Sequence, residues 1–81
     1  MTREEIERIT NDFLVEEIEI DEDALKHDAF LKDDLGIDSL DFVDIVVIVE
    51  RSFGFKIKAE EMAGVSTLGS FYDYLELKVN G

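Results

Sequence analysis

Apolar side chains recur at helical spacing in the first part of the chain. Thr2 and Glu5 have the Thr-x-x-Glu spacing of a capping box, in which side chains satisfy the first free amides of a helix. One helical stripe of apolar residues follows, made up of Ile6, Ile9 and Phe13. The pattern predicts a first helix from about Arg3 to about Glu16.

The segment from Leu40 to Phe53 carries a β-branched run, Ile45-Val46-Val47-Ile48-Val49, which taken alone is typical of a strand. Each such residue costs only about 0.5 kcal/mol in a helix, so packing can override the preference. Asp38 and Asp41 stand at N-cap and N3 positions, and Gly54 marks a stop about three to four turns later. One face of that helix is apolar throughout: Phe42, Ile45, Val46, Val49 and Phe53. We therefore predict a second helix here.

After the second helix the pattern changes twice. Residues 55–58 form an extended segment, and residues 59–63 form a short helical turn closed by Gly64. Ser66 or Thr67 then caps a last helix. Its inner stripe is Leu68, Phe71, Tyr72, Leu75 and Val79.

Residues 17–36 show no clean period, and their apolar side chains are scattered among acids. We predict a long loop that these side chains pin to the core, in which Ala24-Leu25-Lys26 can form one helical turn. The chain has no internal repeat, no proline and no linker. The expected fold class is therefore all-α: a single domain of residues 1–81 with three main helices, one short helix and a long first loop.

The second helix also has a mixed stripe opposite its apolar face. That stripe interleaves charges with aliphatic side chains: Leu40, Asp41, Asp44, Val47, Ile48 and Arg51. Two interpretations stay open. Either the helix is buried nearly all round, or the stripe is a docking surface whose aliphatic anchors are ringed by charges. A docking surface of this kind would suit a basic partner with an apolar centre.

Charge and composition narrow the possible partners. The 81-residue chain has a formal net charge of −13, which repels nucleic acid and anionic membranes and attracts basic protein surfaces in a salt-dependent way. The chain contains no cysteine, so any thiol chemistry must be supplied by a cofactor. The first residues lack an apolar signal core, and no run approaches membrane-spanning length. We expect a cytoplasmic, monomeric protein with no membrane insertion.

Ser39 stands where the second helix is expected to begin. A serine before an apolar helical run is most often a cap. If Asp38 takes that role, Ser39 is at position N1 and its hydroxyl is free to face solvent. A phosphate attached there would lie beside free backbone amides at the positive end of the helix dipole.

The sequence around Ser39 resembles a known family. The stretch Asp34-Leu35-Gly36-Ile37-Asp38-Ser39-Leu40-Asp41 is similar to the phosphopantetheine attachment motif of acyl carrier proteins. The similarity extends over nearly the whole chain, through residues that look like the family's first loop and later helices: Leu31, Asp33-Asp34, Glu50, Phe53-Gly54, Ile57, Glu60-Glu61, Val65, Thr67 and Asp73-Tyr74-Leu75. The resemblance implies a carrier rather than an enzyme. In such a carrier 4'-phosphopantetheine is esterified to Ser39 and holds acyl groups as thioesters for a fatty-acid, polyketide-like or dedicated lipid or secondary pathway.

The resemblance also implies a set of partners. These are a phosphopantetheinyl transferase and acyl-transferring, condensing or ligase enzymes with basic docking patches. The docking residues carried over from the family are Asp38, Leu40, Asp41, Asp44, Val47, Ile48 and Glu50. The residues expected to line an acyl pocket between the helices are Phe42, Val46, Val49, Ile57, Val65, Leu68 and Phe71.

Two features depart from the family pattern. Arg51-Ser52 stands where carriers of fatty-acid synthesis usually continue with acids, which alters the docking stripe. Phe42 and Phe71 look bulkier than the side chains common at their positions. They suggest a small or differently shaped cavity, and a cargo that is short, unusual or held outside.

Other functions are disfavoured but stay open. An aminoacyl or peptidyl carrier and an unmodified acidic helical adaptor both fit parts of the pattern. No catalytic residues are expected, because His27 is the only histidine and a lone loop histidine is most often solvated. No metal site is expected either, because Asp21-Glu22-Asp23 lacks the glycine and terminal glutamate of an EF-hand calcium loop.

Overall fold

Four α-helices and one short 3-10 helix make up the computed structural model, which describes all residues from 1 to 81. Helix α1 spans Arg3–Glu16, α2 spans Ser39–Phe53, α3 spans Ala59–Met62 and α4 spans Leu68–Asn80, while the 3-10 helix spans Glu22–Ala24. The prediction of an all-α bundle with three main helices, one short helix and a long first loop is confirmed. None of the helices has the length and apolar character needed to cross a membrane.

Helix α1 begins with the capping box that its sequence predicts. The Glu5 amide donates to the Thr2 hydroxyl at 3.1 Å, and the Thr2 amide donates to the Glu5 carboxylate at 3.2 Å. These bonds satisfy amides that a helix start otherwise leaves free. The helix has the predicted limits and buries Ile6, Phe13 and Leu14 in the core.

Helix α2 is helical in spite of its β-branched run. Asp38 caps its start, and Gly54 ends it at a φ of +81°, in the left-handed region that glycine adopts without strain. Ile45 and Val49 are almost fully buried, so the packing of this face outweighs a propensity penalty of roughly 0.5 kcal/mol per residue. The helix prediction is therefore confirmed over the strand alternative.

Helices α1 and α4 pack against each other across the core. Thr10, the one buried polar residue, donates its hydroxyl to the Ile6 carbonyl at 2.7 Å. Tyr72 is buried as well and donates its hydroxyl to Asn11. Burial raises the pKa of Tyr72 to about 12, so this phenol stays a neutral hydrogen-bond donor at physiological pH.

Helix α4 supplies one complete face to the core. Its predicted inner stripe is buried at four positions and half-buried at the last: Leu68, Phe71, Tyr72, Leu75 and Val79. Tyr74 is buried too, and its hydroxyl donates to Glu61 at 2.9 Å, which ties α4 to α3. The helix is capped by Thr67 rather than Ser66, since the Thr67 hydroxyl accepts from the Ser70 amide at 3.2 Å.

Backbone hydrogen bonds fasten the first loop to the start of α4. The amides of Leu68 and Gly69 donate to the carbonyls of Ala29 and His27 at 2.9 and 2.8 Å, respectively. A Cβ at Gly69 would lie 2.9 Å from the His27 carbonyl oxygen, so this close approach requires glycine. The loop side chains predicted to pin it to the core do so with one exception. Leu35 is buried, Phe30 is 48% exposed, and the others are partly buried against the core: Ile18, Ile20, Leu25 and Leu31.

The helical turn in this loop lies earlier than predicted. It spans Glu22–Ala24 rather than Ala24–Lys26, because the Asp21 carboxylate accepts from the Asp23 amide at 3.1 Å and fixes its start. Helix α3 likewise ends at Met62, one residue before the predicted limit. Neither shift moves the residues around the start of α2.

Candidate cofactor attachment site and the surface of helix α2

Ser39 is the first residue of α2, and its hydroxyl is exposed and makes no hydrogen bond to the protein. Asp38 takes the N-cap position, where its carboxylate accepts a hydrogen bond from the Asp41 amide at 2.9 Å. The cap is therefore Asp38 and not the serine. Ser39 is left free at the positive end of the helix dipole, where backbone amides can receive an anion.

A tight turn sets the position at which α2 begins. Gly36 adopts a φ of +71°, and its amide donates to the Lys32 carbonyl at 3.1 Å. The Ile37 amide donates to the Leu31 carbonyl at 3.0 Å. Because Leu35 and Ile37 are buried on either side of the glycine, the turn is anchored to the core and holds the helix start in place.

An open cleft of about 540 Å³ lies beside Ser39, where the end of the first loop meets α2 and α3. Its lining is mostly apolar and includes one basic residue: Leu31, Lys32, Ile37, Asp38, Ser39, Phe42, Met62 and Val65. Pockets that bind small molecules in proteins occupy roughly 300–1,000 Å³. The cleft is therefore large enough to hold a small group attached at its rim.

The residues predicted to line an acyl pocket lie partly in this cleft and partly in the core. Of the predicted pocket residues, only Phe42 and Val65 line the cleft. Val46 is half-buried outside it, and the other four are packed in the core: Val49, Ile57, Leu68 and Phe71. The open volume is left at the edge of the bundle.

The exposed side of α2 carries three apolar side chains in one row. Leu40 is 76% exposed, Val43 60% and Val47 59%. Spacings of three and four residues place them on the same helix face. Acids surround the row at Asp38, Asp41, Asp44 and Glu50. We call these seven residues the α2 surface; its apolar centre and charged rim have the layout of a protein interface.

Two residues of this face differ from the prediction. Ile48, predicted as an aliphatic anchor of the docking stripe, is 5% exposed and packs in the core. Val43, which is not part of the predicted stripe, is exposed instead. Helical geometry accounts for both: Ile48 lies about 80° from Leu40 on the side of buried Ile45, whereas Val43 lies about 60° away on the other side.

Arg51, which interrupts the acids of α2, is engaged by the end of α1. Its Nη2 donates to both carboxylate oxygens of Glu17, at 3.1 and 2.9 Å. Both side chains are largely exposed, so the pair contributes on the order of 0–1 kcal/mol. The pair neutralises Arg51 at the C-terminal end of the α2 surface.

His27 was predicted to be solvated, but its side chain also contacts two helices. Its Nε2 lies 3.3 Å from the Glu7 carboxylate, and its ring packs edge-on against Tyr72 with centroids 5.3 Å apart. Burial acts to raise the pKa of Glu7, but hydrogen bonds from His27 and Arg3 hold that pKa below its usual value. His27 therefore helps to fasten the first loop to α1 and α4.

The acids of the chain do not converge on a metal centre. No group of three or more His, Cys, Asp or Glu side chains is placed to hold an ion. The Asp21 and Asp38 carboxylates are each engaged by a backbone amide at a helix start.

The residues around Ser39 fit a phosphate-linked group. The free hydroxyl offers a point of attachment, the helix start offers amides for a phosphate, and the cleft offers an apolar wall beside them. The carboxylates of Asp38 and Asp41 are unfavourable neighbours for an anion, whereas Lys32 brings one positive charge to the cleft lining.

Comparison with known proteins agrees with this geometry. The family model described as "Phosphopantetheine attachment site" matches residues 8–75. The acyl carrier protein of Thermotoga maritima is 38% identical over 78 residues, which cover 96% of each chain. That of Petrotoga mobilis is 34% identical over 80 residues, covering 99% of this chain and 94% of its own. That of Bdellovibrio bacteriovorus is 39% identical over 67 residues, covering 83% of this chain and 86% of its own.

These matches extend over most of the chain and span the turn, the start of α2 and the cleft. Carrier proteins of this family are not themselves enzymes. They carry acyl groups by means of a covalently attached 4'-phosphopantetheine, and that group is the cofactor here. Because a family model and full-length relatives agree with the free serine and its cleft, the chain belongs to the acyl carrier protein family.

Proposed function

We propose that Ser39 is the residue esterified with 4'-phosphopantetheine, and that the chain is a single carrier domain that passes acyl groups between enzymes. The observation that supports this assignment is the free, exposed hydroxyl at the first position of α2. Asp38 relieves the serine of capping, so modification of Ser39 costs the helix no hydrogen bond.

The chemistry of loading follows from this position. The Ser39 Oγ forms a bond to the phosphorus of coenzyme A that bears the pantetheine. The bond to 3',5'-ADP breaks, and the hydroxyl proton passes to a base of the transferase. The new phosphodiester lies at the positive end of α2, which favours an anion. Once attached, the arm supplies a thiol for thioester formation, which a chain without cysteine cannot supply itself.

The α2 surface is the proposed docking site for partner enzymes. Its row of Leu40, Val43 and Val47 would enter an apolar depression on the partner, while the surrounding acids meet basic residues. The formal charge of −13 adds attraction at longer range and speeds encounter at low salt. The first such partner is a phosphopantetheinyl transferase, followed by acyl-transferring, condensing or ligase enzymes.

The cargo is proposed to be short, or to be held in the cleft at the edge of the bundle. Phe71 and Tyr72 are 2% and 1% exposed and fill the space between the helices. A short or unusual acyl group suits a dedicated lipid or secondary pathway better than long-chain fatty-acid synthesis. A crystal structure of the protein loaded with a long saturated chain tests this proposal. A chain fully enclosed between the helices would contradict it.

Loading with coenzyme A and a phosphopantetheinyl transferase tests the assignment of Ser39, with intact mass as the measurement. The wild type should gain the mass of one phosphopantetheine, and Ser39→Ala should gain none. Ser52→Ala is the matched control, because Ser52 is an exposed serine at the other end of the same helix. No gain with several transferases would contradict the proposal and favour the unmodified adaptor.

The docking proposal has its own test in the kinetics of loading. Val43→Asp places a charge in the centre of the apolar row and should lower kcat/KM of the transferase by at least about tenfold. Leu77→Asp is the matched control, because Leu77 is equally exposed on α4, away from the α2 surface. Equal kinetics for the two variants would place docking elsewhere.

A further inference from the structure

Lys32 is the only basic residue that lines the cleft beside Ser39. The chain has 21 acidic and 8 basic residues, yet the Lys32 ammonium forms no salt bridge and no side-chain hydrogen bond. The carboxylate of nearby Asp34 is engaged by the Phe30 amide at 2.8 Å. Lys32 is therefore a cleft-lining residue whose charge has no partner in the chain.

The backbone places Lys32 close to the start of α2. The Gly36 amide donates to the Lys32 carbonyl at 3.1 Å, so the two residues face each other across the turn. Gly36 is three residues before Ser39, a separation of at most about 11 Å even in a fully extended chain. The flexible four-carbon stem of lysine can bring its ammonium across the rim of the cleft toward the serine.

The phosphodiester on Ser39 would need such a charge. It adds a negative group between Asp38 and Asp41 on a chain that already has a net charge of −13. The helix start provides amides, but Asp38 occupies the amide of Asp41. Each neighbouring carboxylate repels the phosphodiester.

We propose that Lys32 pairs with the phosphodiester on Ser39 and positions the first part of the arm over the cleft. This inference rests on the proposed attachment at Ser39. It assigns Lys32 a role in the loaded carrier that it does not have in the unloaded one. In the loaded form the arm is drawn toward the apolar wall formed by Leu31, Phe42 and Met62. Without Lys32 the phosphodiester is repelled by the acids of α2, and the arm extends into solvent.

Thermal unfolding of the unloaded and loaded forms at low salt tests the role of Lys32. Mass spectrometry first verifies full loading of the wild type, Lys32→Gln, Lys32→Arg and the control Lys26→Gln. Lys26 is also an exposed loop lysine without an ion pair, and it does not line the cleft. The change in Tm on loading should be less favourable in Lys32→Gln by about 2 °C or more. Lys32→Arg and Lys26→Gln should behave like the wild type.

The change in Tm on loading reports on the contact between Lys32 and the arm, because any structural role of Lys32 is present in both forms and cancels in the difference. At about 1 M salt the difference between the wild type and Lys32→Gln should disappear, since salt screens an exposed pair. Equal changes in Tm for fully loaded wild type and Lys32→Gln at low salt would overturn this inference alone. A wild type that gains no mass would overturn both this inference and the attachment at Ser39.

Discussion

Replacing Asp38 by alanine should separate helix capping from cofactor attachment at the start of α2. The Asp38 carboxylate is the only side chain that caps this helix start, through the Asp41 amide at 2.9 Å. Ser39 is adjacent but makes no such bond. Substitutions at Asp38 and at Ser39 should therefore affect stability differently, although the two residues are adjacent at the start of the same helix.

The size of the effect follows from the loss of one cap. An N-cap Asp→Ala substitution costs about 1 kcal/mol, in a range of roughly 0.5–2 kcal/mol. For a domain of this size that loss lowers Tm by roughly 4–8 °C. Asp38→Asn keeps an acceptor of the same shape and should change stability by only a few tenths of a kcal/mol. Ser39→Ala removes an exposed hydroxyl without a partner and should stay within about 0.5 kcal/mol of the wild type.

Thermal and urea unfolding followed by circular dichroism at 222 nm measure these differences. The expected order of stability places Asp38→Ala alone below the other three proteins. If Ser39→Ala falls as far as Asp38→Ala, the serine shares the cap and its hydroxyl is not free. If Asp38→Asn falls as far, the effect comes from the charge of Asp38 near the helix dipole and not from the hydrogen bond.

Two further predictions concern the contacts that hold the bundle together. Gly69→Ala should cost about 1–3 kcal/mol in urea unfolding, because its Cβ would lie 2.9 Å from the His27 carbonyl oxygen. Gly64→Ala, whose Cβ would have open space, should be neutral or slightly stabilising, and equal stabilities would refute the close approach. A hydrogen bond from Lys78 at 2.7 Å lowers the pKa of Glu61. The ionised carboxylate therefore stabilises the folded state at neutral pH, and this stabilisation is lost as the pH falls through the lowered pKa. The Tm difference between the wild type and Glu61→Gln should therefore shrink between pH 6 and about pH 3, and a constant difference would contradict the link.

The helices could be predicted from the sequence because their ends are determined locally. Thr2 with Glu5, Asp38 with Asp41, and Gly54 act within one turn of the residues that they cap or end. In α2 these signals favour a helix, and burial of Ile45 and Val49 outweighs the strand preference of the β-branched run. The geometry of these signals also fixed Ser39 at the first helical position, which is the central feature of the candidate site.

The cleft could not be predicted in the same way, because it depends on contacts between distant segments. Leu31 enters the lining through the turn before α2, whereas Met62 enters from α3. Which apolar residues face a gap and which fill the core is decided by how tightly the helices approach. Periodicity predicts that Phe71 faces inward, but it does not predict how completely this side chain fills the space between the helices.

A different cause explains why Val43 is exposed on the α2 surface and Ile48 is buried. Both residues lie within one turn of Leu40 on the helix surface. Dividing the helix into one apolar half and one exposed half does not show which of the two is buried. The deciding fact is the width of the buried arc. Ile45 and Val49 lie at its centre, and the bundle is tight enough to bury Ile48 at its edge. The residues of a docking row are therefore better chosen by their angular distance from Leu40, the most exposed residue, than by their position opposite the centre of the apolar face.

The Arg51–Glu17 pair changes the expected charge of the docking face. An unpaired arginine at this position would repel a basic partner and weaken docking at the C-terminal end of α2. In the structure both charges are satisfied within the chain, so Glu50 supplies the charge at this end of the α2 surface. A basic partner therefore gains most of its attraction from the acids nearest Ser39, and only Glu50 adds to it one turn beyond Val47. Enzymes whose basic residues cluster around the attachment site should bind this carrier, whereas enzymes that rely on basic residues along the whole helix should bind it more weakly.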